Sequence, residues 1–181
     1  MATKNIQAHQ DRNPRQAKIN RLLHFAELLD QALEIKQGML VVFPFFLRAA
    51  IRRGQSKRAF NDLVGVGTGI VRQTRELSSA LTTLGGHLPD ELPLSWSEPT
   101  DPVSAFLYDE ELATQILESC MKILEREWEA TTDLKTWLWE HIETVLQESR
   151  QTAALLNDLF TTAEPRYRDR VMERFRIAAL P

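Results

Sequence analysis

A chain of 181 residues, 43% hydrophobic and 26% charged, is large and apolar enough for one domain with its own core, which excludes a disordered or a membrane-embedded chain on composition. Its single cysteine, Cys120, excludes an intrachain disulfide and fits a reducing, cytoplasmic setting. Net charge is only -3 but unevenly spread: residues 1–75 carry 13 Lys/Arg against 5 Asp/Glu, residues 76–163 carry 4 against 17, and residues 164–181 carry 5 against 3. Halves so charged attract one another, within a chain or between subunits.

Residues 1–16 read as a flexible arm, polar and basic, with no apolar core of a secretory signal and with Asn13-Pro14 as a breaker. A bundle is expected over residues 17–161. Its first helix covers 17–52, with Leu22, Phe25, Leu29, Leu33, Leu40, Phe43 and Leu47 near one face. Pro44 removes a backbone donor and predicts a kink or a split near Leu40. Residues 38–47 are the most apolar stretch, far shorter than the roughly 20 residues a spanning helix needs. A second helix over 57–84 sets Phe60, Leu63, Gly67, Ile70, Thr74, Leu77, Leu81 and Leu84 at 3-4 spacing, closed by Gly85-Gly86.

Residues 85–102 hold four prolines and no period, and read as a long loop. The third helix, 103–129, turns Phe106, Ala113, Leu117, Cys120, Leu124 and Trp128 inward. The fourth, 132–161, does the same with Leu138, Ile142, Val145, Ser149, Thr152, Leu156 and Leu159. Residues 162–181 form a C-terminal extension with a short basic helix over 166–178. Short, long and short connections predict an all-α, ferritin-like four-helix bundle with one long crossover between the second and third helices.

The sequence carries no recognised catalytic or metal-binding pattern. A ferritin-like di-metal site needs Glu-x-x-His on two helices, yet His9, His24, His87 and His141 have Ile6, Arg21, Leu84 and Leu138 three residues earlier. The fourth helix offers Glu148-Ser-Arg-Gln151, with glutamine in place of histidine. Gly65-Val-Gly-Thr-Gly69 lacks the spacing and the Lys-Ser/Thr end of a nucleotide loop, and reads as close helix approach through small residues. No catalytic residue, metal ligand or cofactor is expected, and the chain reads as a non-enzyme. Arg48, Arg52, Arg53, Lys57 and Arg58 form a candidate patch for phosphate or an acidic partner, although the acidic balance of the whole argues against nucleic acid. Phe43, Phe45 and Phe46 point in different directions on a helix, and Trp137 and Trp139 straddle an inward face. These five are candidate interface residues.

Phe60-Asn-Asp-Leu, followed by Thr74-Arg-Glu-Leu-Ser-Ser-Ala-Leu-Thr-Thr-Leu-Gly-Gly-His-Leu-Pro89, resembles the second helix of the Dps-type mini-ferritins. Thr132-Asp-Leu-Lys-Thr-Trp-Leu and Gln147-Glu-Ser-Arg-Gln151 resemble their fourth. The resemblance covers about residues 20–160 and implies a ferritin-like fold and a tendency to oligomerise. Where that family places an aspartate and a glutamate on the second helix, this chain has Arg75 and Ser79, and near Arg48 and Ala49 its first-helix histidine has no counterpart. The expectation is a non-catalytic bundle with a degenerate metal site, a homo-oligomer of at least two chains serving assembly or protein interaction. The alternatives are an iron-handling or DNA-protecting mini-ferritin with a relocated site, and a bundle that binds an apolar ligand or a membrane surface.

Overall fold

The computed structural model describes residues 14–52, 57–86, 101–126 and 132–161, and among these it is helical without strands. The helices are α1 (Pro14–Arg52), α2 (Lys57–Thr83), α3 (Pro102–Arg126) and α4 (Thr132–Thr161). The N-terminal arm before Pro14, most of the long loop, Arg53, Trp128 and the expected terminal helix over 166–178 lie outside the described residues.

Local chemistry sets the ends. α1 starts at Pro14, three residues before the expected start; proline suits the first turn, where its missing N–H has no intrahelical acceptor. α2 closes in a Schellman turn: the Gly86 N–H donates to the Leu81 carbonyl at 3.0 Å, the Gly85 N–H to Thr82 at 2.9 Å, and Gly85 takes φ +80°. α3 opens on Asp101, whose Oδ1 accepts from the Val103 and Ser104 amides at 3.2 Å each, with Pro102 as the first helical residue.

Pro44 does not split α1, which runs unbroken for 39 residues. The reason is packing. Pro44 lies on the exposed side, while Phe25, Leu29, Ala32, Leu33, Met39, Val42, Phe46 and Ala50 continue one buried stripe past it. That stripe also corrects the expected seam, because beyond Leu33 the inward residues are Met39, Val42 and Phe46, while Leu40, Phe43 and Leu47 are half-buried.

Two apolar clusters make the core. One joins Phe25–Leu33 side chains of α1 to Leu77 and Leu81 of α2, Leu117, Cys120 and Leu124 of α3, and Leu138, Ile142 and Val145 of α4. The other joins Met39, Val42 and Phe46 to Leu63, Val66 and Ile70, Val103 and Phe106, and Leu156 and Phe160. The first half of α1 therefore lies beside the second halves of α2 and α3 and the first half of α4. α1 and α2 are antiparallel, and so are α3 and α4. The neighbouring pairs are α1 with α2, α1 with α3, α3 with α4, and α2 with α4, the last packed most loosely. No described helix is long and apolar enough to cross a membrane.

Candidate functional site

Between the two clusters lies a polar layer to which every helix contributes a fully buried side chain: Lys36 from α1, Gln73 from α2, Glu110 from α3 and Ser149 from α4. Thr152, one turn further along α4, borders it. Lys36 Nζ donates to Glu110 Oε1 at 2.7 Å, with neither side chain exposed to water. Removing both charges from water costs several kcal/mol per ion (roughly, for buried groups), so the pair persists only because each neutralises the other. Burial pushes the Lys36 ammonium below its ordinary pKa, and the charges of Glu110, Glu148 and Asp109 oppose that push. Burial, aided by the like charge of Glu110, raises Asp109 to about 6.

The layer is incompletely paired within the chain. Both amide atoms of Gln73, Glu110 Oε2 and Ser149 Oγ are buried without a hydrogen-bond partner. An unpaired buried polar atom typically costs about 1–3 kcal/mol. These atoms suit a polar occupant more than an apolar one.

A groove of about 560 Å³ between α2 and α4 reaches this layer from outside, and Gln73 and Thr152 line it. Its α2 side is floored by Gly65 and Gly69, where an added Cβ would meet nothing within 4 Å. Arg72 and Glu148 bridge the two helices at its rim in a two-point contact, with distances of 2.6 and 3.2 Å. Gly67 behaves differently from its two neighbours: a Cβ there would lie 2.5 Å from the Phe43 ring, so this glycine lets α1 approach α2 closely.

Of the sequence-derived candidates, Arg58 lines this groove. Arg48, Arg52, Lys57 and Arg58 are all exposed, where α1 ends and α2 begins. Phe46 is wholly inside the chain's own core, stacked on Phe106 with ring centroids 4.2 Å apart, and is therefore corrected from interface to core. Phe43 is half-buried over Gly67, and Phe45 is also half-buried. Trp137 and Trp139 both pack on the first cluster; the Trp137 ring centroid lies 3.9 Å from that of His141, and the Trp139 indole N–H donates to Glu143 at 2.9 Å. On α4 it is Ser149 and Thr152 that face inward. Glu148 lies at the groove rim and Gln151 is exposed. Arg75 and Ser79, at the positions matched to mini-ferritin ligands, are exposed as well.

Lys36, Gln73 and Glu110 were not among the candidates, although each keeps the 3-4 register of its helix. Among the described residues no group of three His, Cys, Asp or Glu side chains is close enough to hold a metal ion. The one thiol, Cys120, is buried and pushed up to about 12, which leaves no thiolate for chemistry near neutral pH. Comparison with protein-family models, with curated proteins and with solved structures gives no match.

Proposed function

We propose that this chain is a non-catalytic bundle of ferritin-like layout that serves as an oligomeric assembly or protein-interaction module. The observation that carries the reading is the buried Lys36–Glu110 pair. A di-metal bundle brings carboxylates and histidines from its four helices to a central layer. Here the central layer already contains a cation of the chain's own, and a metal ion entering it would face the Lys36 ammonium in a medium of low dielectric. A buried ion pair in such a layer specifies which helices meet and in what register, more than it adds stability.

The ferritin-like layout itself is part of the proposal. Its support is that α2 ends beside one core cluster and α3 begins beside the other. A chain joining those ends has to travel the length of the bundle, about 38 Å for 25 residues at 1.5 Å each.

Support for association comes from the surface. Val64, Val71 and Ile51 are exposed at 42%, 57% and 54%, and the groove between α2 and α4 is open where a tighter bundle would close. The test is the solution mass of the purified chain by sedimentation equilibrium at micromolar concentration. A mass of two chains or more supports the reading. A single-chain mass in both low and high salt overturns it.

A further inference from the structure

On α2, Arg58, Asp62, Gly65, Gly69, Arg72 and Glu76 follow one another at steps of four, three, four, three and four residues. That spacing keeps them on one helix face. The first five line the groove beside α4. Arg58, Asp62, Gly65 and Arg72 are exposed, and Gly69 and Glu76 are half-buried. Along the helix the stripe reads basic, acidic, glycine, glycine, basic, acidic. Turned end for end about residue 67, it sets Arg58 against Glu76, Asp62 against Arg72 and Gly65 against Gly69, so every charge meets its opposite.

We infer that this stripe is the docking surface for a second copy of the chain, α2 against α2, antiparallel about a two-fold axis near residue 67. The inference rests on the reading of the chain as an oligomer and names the surface that makes it one. In such an isologous contact each pair forms twice. The stripe spans about 27 Å at 1.5 Å per residue. At its middle Gly65 and Gly69 leave open space for the opposing backbone, although glycine within a helix is the residue least suited to it after proline.

A second observation points to an occupant. Gln73 is fully buried, lines the same groove, and has neither its amide donor nor its acceptor partnered within the chain. A second copy brings polar side chains of its own to that wall. At the rim, Arg72 already binds Glu148, and Glu76 lies 3.7 Å from His141. In the dimer Arg72 is shared between Glu148 and the facing Asp62.

The symmetry dictates the experiment. Asp62→Arg sets arginine against Arg72 at both ends of the contact, and Arg72→Asp sets aspartate against Asp62 at both ends. Each should weaken self-association roughly hundredfold, since like charges placed across an interface are strongly disfavoured. Mixed in equal amounts, the two variants restore both pairs as a heterodimer. Gly69→Leu fills the approach without altering charge, and its thermal melt shows whether the single chain still folds.

The expected result by sedimentation equilibrium is two chains for the parent, one for each of the three variants, and two for the equimolar mixture of the charge variants. A parent dimer that survives in all three variants overturns this surface and leaves the oligomer reading standing. A mixture that stays monomeric overturns it too. A monomeric parent overturns both.

Discussion

Replacing Lys36 by methionine deletes the ammonium, keeps most of the side-chain length and leaves the Glu110 carboxylate buried without its partner. Breaking a buried ion pair from one side typically costs about 3–5 kcal/mol. A domain's whole stability is roughly 5–15 kcal/mol, so the variant should lose a substantial part of it. In urea, with a slope of about 2 kcal/mol per molar, the midpoint should fall by about 2 M. The double variant Lys36→Met, Glu110→Leu removes both charges, and its midpoint should return to or exceed that of the parent. A single variant within about 1 kcal/mol of the parent at pH 7 would show a hydrated layer and refute the argument.

Asp109 is raised to about 6 from 3.8, so the folded state holds its proton more tightly than the unfolded state, and stability should fall as pH rises from 4 to 6. Asp109→Asn removes that loss; urea titrations across this range should show it more stable than the parent at pH 7 by about 1 kcal/mol, because water still reaching the carboxyl reduces the full linkage energy. Gly67→Ala should destabilise the chain by about 1–3 kcal/mol, since the new methyl meets the Phe43 ring. Gly65→Ala and Gly69→Ala, which meet nothing within 4 Å, should each stabilise the single chain by up to about 1 kcal/mol. Thermal melts of the three variants at low protein concentration check this contrast, and equal effects at all three positions would contradict it.

How far the fold could be read from the chain depended on which residues carried the helical period. Glycines and leucines defined α2 to within one residue at its end, and α4 matched its expected bounds. α1 was harder. Its true stripe runs Phe25, Leu29, Ala32, Lys36, Met39 and Val42, and the lysine at its centre shifts the expected apolar face beyond Leu33 onto Leu40, Phe43 and Leu47. α3 conceals Glu110 in the same way between Phe106 and Ala113. A charged residue in register on one helix reads as an interruption. Two of opposite sign, in register on two helices, are the mark of a buried pair, and that mark is visible only when the helices are compared at the same height. The groove had a weaker trace. The 3-4 seam already set Gly67 apart from Gly65 and Gly69, and the Phe43 ring gives the physical reason, but nothing in the chain marked the open space over its two neighbours.

The measurement that tests the central claim most directly is aerobic iron oxidation by the purified apoprotein, followed by absorbance after ferrous iron is added in steps. With Lys36 occupying the central layer beside Glu110, and with no described trio of carboxylates, histidines or thiols to hold a metal, oxidation should proceed no faster than in buffer alone, whatever the iron-to-chain ratio. Rapid oxidation that saturates near two irons per chain would contradict the account.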